Sequence, residues 1–202
     1  AHKTLLSNIR KKNIFMFMVF QQTYTIINRD RNQSWFLRQM CKEMKDYLLS
    51  LSFDETYNNV LYHVGNILNG ETSEILGQEF PFLEVRCIDV WTDDKLQFEF
   101  DERIKFYSNI VKWAGLQTEY ENEIVSPAMV YIDSCKEENC MLEDLKFWLP
   151  KMTYGAILSG YNLSYHQHEN PKKLAQLKKS IIKGIGQYPH KVYLDGSWYR
   201  VL

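Results

Sequence analysis

The order of apolar and polar positions along the chain predicts alternating strands and helices. Ile14-Phe15-Met16-Phe17-Met18-Val19-Phe20 is an apolar run without polar alternation, as a strand covered on both faces requires. A turn-rich polar stretch follows, and Ser34 stands where a helix N-cap accepts from the first free N–H groups. Leu37, Met40, Cys41, Met44, Leu48 and Leu51 then recur at helical spacing on one face. Asp54 caps a second predicted helix, with Tyr57, Val60, Leu61, Val64, Ile67 and Leu68 as its stripe and Gly70 as its stop.

A strand is expected over residues 82–90, turning at Thr92-Asp93-Asp94-Lys95 into a hairpin with residues 96–100. Residues 101–114 read as a third amphipathic helix stopped by Gly115, and Pro127 opens a strand through Met129-Val130-Tyr131-Ile132. Residues 141–149 form a short helix ended by Pro150, and residues 153–158 a further strand. Asn170-Pro171 starts a helix striped by Leu174, Leu177, Ile181 and Ile185. Last, Asp195-Gly196 is suited to a tight turn between Val192-Tyr193-Leu194 and Trp198-Tyr199-Arg200-Val201. The alternation implies an α/β fold, a three-layer sandwich with a mainly parallel sheet and helices on both faces. Right-handed crossovers then make the strands holding Ile14, Val85 and Val130 neighbours.

Composition narrows the picture. A length of 202 residues favours a single α/β domain over residues 1–202, and 45% apolar with 24% charged residues excludes disordered and collagenous chains. No apolar run approaches the roughly 20 residues that cross a bilayer, so no membrane partner is expected. Cys41, Cys87, Cys135 and Cys140 are too sparse for a disulfide scaffold and read as thiols, which places the protein inside the cell, in the cytoplasm. Charge is segregated: net +4 over residues 1–70, −11 over 71–150 and +6 over 151–202. Such a distribution steers partners without singling out nucleic acid.

The candidate chemistry centres on Val130-Tyr131-Ile132-Asp133-Ser134-Cys135-Lys136, an apolar strand delivering a cysteine at its carboxyl end, where open α/β sheets present ligands and nucleophiles. Lys136 would favour the reactive thiolate. His63, within the second predicted helix, reads as a surface or boundary residue rather than a base. His166 and His168 with Cys135 and Cys140 lack the usual zinc spacings. Glu84, Asp89, Asp93, Asp94, Glu99, Asp101 and Glu102, with Lys95 and Lys105, offer an alternative: a metal-dependent nuclease or a nucleic-acid-binding α/β domain. A 14% aromatic content favours protein interfaces.

Asp133-Ser134-Cys135-Lys136 resembles the cysteine strand of caspase-fold peptidases, Gln-Ala-Cys-Arg-Gly in caspases and Asp-Ser-Cys-His in metacaspases. The order strand, two helices, strand, helix, strand, strand, helix is similar to theirs. The resemblance implies that Cys135 is the catalytic residue. The strand at 82–90, which in the family leads into Ser-His-Gly, here continues as Val90-Trp91-Thr92-Asp93 without the histidine. A second register is similar too: Ser34-Trp35-Phe36-Leu37-Arg38-Gln39-Met40-Cys41 resembles a helix of the caspase small subunit, and Cys87 to Phe100 its closing strand. What the resemblance implies is a degenerate, regulatory pseudo-peptidase with no cofactor and no metal. Its partner would be another protein or a second copy of the chain.

Overall fold

The computed structural model describes residues 29–133, 138–163 and 171–202. Chain contacts divide the protein into two compact units, Ala1–Gln33 and Ser34–Leu202, and the sheet belongs to the second. The apolar run at Ile14 and residues Cys135, His166 and His168 lie outside the described residues. In chain order the elements are α1 (Arg29–Leu51), β1 (Asn58–Gly65), α2 (Glu71–Glu79), β2 (Glu84–Asp89), α3 (Asp94–Ile104) and β3 (Ile110–Ala114). A short 3-10 turn, Gln117–Tyr120, leads to β4 (Pro127–Asp133), α4 (Glu138–Trp148), β5 (Ile157–Gly160), α5 (Pro171–Ile185), β6 (Lys191–Val192) and β7 (Trp198–Val201).

The strands form one seven-stranded sheet in the order β3-β2-β1-β4-β5-β7-β6. Strands β1 to β5 pair in parallel, and β7 runs antiparallel between β5 and β6. The strand order reverses between β1 and β4, which makes the carboxyl ends of those two strands a topological switch point. Both faces are covered, as parallel sheets require. On one face Leu61, Val85, Met129 and Ile157 pack with Leu37, Met40, Met44 and Leu48 of α1 and with Ile75 and Leu76 of α2. On the other, Tyr62, Val64, Val130 and Leu158 meet Leu145 and Trp148 of α4 and Leu174, Leu177 and Ile181 of α5. The fold is the expected three-layer α/β sandwich.

Several expectations are corrected. The helix expected over residues 57–68 is β1: Val60-Leu61-Tyr62-His63-Val64 is apolar on both sides, and all five are buried. Its apolar positions satisfy the helical period by coincidence, and burial on both faces decides for a strand. Val85 and Val130 therefore share the sheet but flank β1 instead of pairing. The hairpin expected at 96–100 is the body of α3, because Asp93 acts as N-cap and accepts from Lys95 N at 2.9 Å and Leu96 N at 3.2 Å. The helix expected over 101–114 breaks after Ile104, and its second half is the edge strand β3.

The caspase-like order fails at the same place, since it needs two helices where the chain has α1 and then β1. Cys41 and Cys87 are buried thiols, but Cys140 is disulfide-bonded, a bond that a reducing compartment disfavours. Among the described residues no helix is long and apolar enough to cross a membrane.

Candidate functional site

Strand β1 ends in Gly65, whose φ of 108° suits only glycine, and the chain then turns through Asn66 to Gly70 into α2. This loop is fastened from several sides. Asn66 N donates to the Asp133 carbonyl at the end of β4, 2.8 Å away. Ile67 N donates to Asp89 Oδ2 at 2.9 Å, and Trp91 N to Asp89 Oδ1 at 3.3 Å. The Trp91 indole N–H closes the loop on the Leu68 carbonyl at 2.9 Å. Asp89, the last residue of β2, is thus the carboxylate around which the carboxyl ends of β1 and β2 are organised.

Beside it lies a cleft of about 240 Å³, formed by the carboxyl ends of β1, β2 and β3. Gly65 and Asp89 line one part, and Val90 and Leu116 add exposed apolar surface. Gln117 and Asp144 also line it: Gln117 Nε2 donates to Asp144 Oδ1 at 2.8 Å, and the buried Trp148 indole N–H donates to Gln117 Oε1 at 2.7 Å.

Further along the same rim the β6–β7 turn meets the end of β5, where Leu163 N donates to the Gly196 carbonyl at 3.0 Å. Burial pushes the Asp195 carboxyl up to about 6, although bonds from Ser197 N and Ser197 Oγ favour its charged form. Leu68, Trp91 and Asn162 hold left-handed backbone conformations, at φ 55°, 38° and 75°.

His63 is not at a surface. It is fully buried on β1, with Nδ1 2.8 Å from Ser73 Oγ and Nε2 without a partner. The ring meets Tyr131 edge-on, and Cys87 is its register partner on β2. Burial pushes the imidazole down from 6.5 to about 3. The unfolded chain therefore takes up this proton below about pH 6.5 while the folded chain does not, so stability falls as pH drops from 6.5 toward 3. Asp195 acts oppositely: its folded form keeps a proton up to about pH 6 against an ordinary 3.8, so its contribution is lost as pH rises through that window. Urea melts at pH 7, 5 and 4 should show a shallower acid-side loss for His63→Leu than for the natural chain. Parallel losses would contradict the assignment.

The carboxylates suggested for a metal are dispersed. Glu84 pairs with Arg86, Asp93 caps α3, Asp101 holds Lys112 at 2.7 Å, and Glu102 and Glu99 pair with Lys105 and Lys95 on their own helix. Among the described residues no group of three or more metal-binding side chains forms. Of that set only Asp89 lines the cleft, beside Gly65, Gln117 and Asp144, which sequence reasoning passed over. One signal was present: a strand, Gly65, Gly70 and then an acid at the end of the next strand, as in nucleotide-binding βαβ units.

No protein-family model matches the sequence, and no curated protein matches it. Solved structures do. CalS11, a TDP-rhamnose 3'-O-methyltransferase of calicheamicin biosynthesis, is 17% identical, covering 85% of this chain and 80% of its own, with a TM-score of 0.59. An O-methyltransferase from Bacillus cereus in complex with SAH is 10% identical over 91% of this chain and 97% of its own, with a TM-score of 0.53. Aeropyrum pernix fibrillarin with natively bound S-adenosyl-L-methionine is 13% identical over 77% and 73%, with a TM-score of 0.53. The fold is therefore Rossmann-like and of the methyltransferase type. This overturns the caspase resemblance and, with it, the pseudo-peptidase reading.

Proposed function

We propose that the protein is a methyltransferase that uses S-adenosyl-L-methionine and acts on an oxygen acceptor. The observation that carries this reading is Asp89, fixed by two loop N–H groups at the switch-point end of the sheet and lining the cleft. A carboxylate there suits ribose hydroxyls, because each of its oxygens has a lone pair beyond the one given to the loop. Gly65 lets backbone approach a ligand closely, and Val90 and Leu116 offer apolar walls. The residues fit the group: Asp89 and the Gly65–Gly70 loop would hold its ribose and amino-acid part. When bound, it supplies a methyl group on a positively charged sulfur. The O-methyltransferase neighbours favour oxygen as the acceptor.

S-Adenosylhomocysteine (SAH) tests the reading without an acceptor. A ligand bound only by the folded state, present at 100 times its Kd, adds about 2.7 kcal/mol of stability. For a chain of this size that raises Tm by about 5–10 °C. A flat melting temperature up to millimolar SAH would reject the proposal.

A further inference from the structure

We infer that Trp91 is a positioning residue for the Gly65–Gly70 loop, its indole latching that loop into the shape the cofactor needs before any ligand arrives. The inference rests on the cofactor reading above and adds what keeps the site preformed.

Leu68 lies within the loop at φ 55°, in the left-handed region, and its side chain is half exposed, so packing alone does not hold it there. A leucine left to itself prefers other backbone regions by about tenfold in population. What holds it is the Trp91 indole N–H, which donates to the Leu68 carbonyl at 2.9 Å. An indole can only donate, so this bond has one sense and fixes where the carbonyl points.

The latch is itself anchored. Trp91 is buried, its ring packs against Phe100 of α3 with centroids 4.7 Å apart, and Lys112 Nζ of β3 lies 5.1 Å from the ring centroid while pairing with Asp101 at 2.7 Å. The φ of Trp91 is also left-handed, at 38°. Its backbone N–H donates to Asp89 Oδ1 at 3.3 Å, and Asp89 Oδ2 accepts from Ile67 N at 2.9 Å. Asp89, Ile67, Leu68 and Trp91 therefore close a ring of contacts that ties the loop after β1 to the loop after β2. Two left-handed residues persist in it because their surroundings over-determine them. A loop ordered in advance spares the ligand that cost, and a site only fractionally in the competent shape binds more weakly by that fraction.

Calorimetric titration of SAH into the natural chain, Trp91→Phe, Leu68→Gly and the double variant tests this. Trp91→Phe keeps a ring against Phe100 but has no N–H, so the competent fraction of the loop should fall and SAH should bind about tenfold more weakly. Glycine adopts a positive φ about as readily as a negative one, so adding Trp91→Phe to Leu68→Gly should cost no more than about twofold relative to Leu68→Gly alone. A merely structural role for Trp91 would weaken binding equally in both backgrounds, because a glycine at position 68 cannot repair the packing of a ring. That result, or an unchanged affinity in Trp91→Phe, would overturn the latch while leaving the cofactor reading standing. Should Trp91→Phe not fold, the heat-capacity change of SAH binding to the natural chain decides. A value accounted for by the apolar surface the ligand buries supports the preformed loop, and a larger negative one, the mark of ordering on binding, overturns it. A natural chain that binds no SAH would remove both readings.

Discussion

Asp89→Ala is expected to weaken SAH binding by at least about 100-fold while leaving the sheet folded. The carboxylate accepts Ile67 N at 2.9 Å and Trp91 N at 3.3 Å, so its removal frees two loop amides as well as the acceptors offered to a ribose. Hydrogen bonds to charged groups contribute about 1.5–3 kcal/mol each, so losing two such interactions corresponds to two orders of magnitude or more in affinity. Asp89→Asn should fall between, because the amide keeps one accepting oxygen but turns an N–H toward a backbone N–H. Calorimetry on the three proteins, with far-UV circular dichroism to verify folding, measures the series. Equal affinities across it would place the ribose elsewhere.

Gly70→Ala is expected to destabilise the fold by about 2–4 kcal/mol, seen as a lower urea midpoint with an unchanged slope. Two costs coincide at this position. Gly70 has φ 83°, where an alanine loses about 1–2 kcal/mol, and its Cβ would come 2.6 Å from the Phe100 ring of α3. Phe100 is fully buried and packs against Trp91 with ring centroids 4.7 Å apart, so it has little room to retreat. Because Gly70 closes the loop that begins at Gly65, SAH affinity should fall with stability. A neutral Gly70→Ala would mean that the ring moves freely.

The helices whose stripes are long and one-sided were legible in the sequence. Leu37 to Leu51 in α1 and Leu174 to Ile185 in α5 face a sheet on one side and solvent on the other, so their period survives. The β4 strand and the Asp195-Gly196 turn were legible from local signals of another kind, Pro127 opening the strand and Asp-Gly favouring the turn. Strand β1 was not, because a strand buried on both faces carries no alternation, and its neighbours happened to complete a helical stripe. Strand β3 was missed because Lys112 interrupts it and reaches across to Asp101, a tertiary contact that local pattern does not announce. The candidate site was hidden for a further reason. Its loop has Ile67 where a glycine-rich nucleotide loop starting at Gly65 and closing at Gly70 would have its middle glycine, and Gln117, Asp144 and Trp148 come together from separate elements. A cysteine nucleophile is visible in a sequence one residue at a time, whereas a cleft is not.

The three left-handed residues at the carboxyl ends of the strands carry a consequence for how the molecule opens. Leu68, Trp91 and Asn162 follow β1, β2 and β5, each outside the backbone region that a side chain prefers. Among the described residues, left-handed positions outside this rim, such as Gly155 and Gly186, are glycines. Turns carry fewer ladder hydrogen bonds than strands, so hydrogen exchange should reach the amides of these turns before those of the strand interiors. A ligand bridging such turns would suppress that opening, and its binding would register as a rigidified rim as much as a filled cleft.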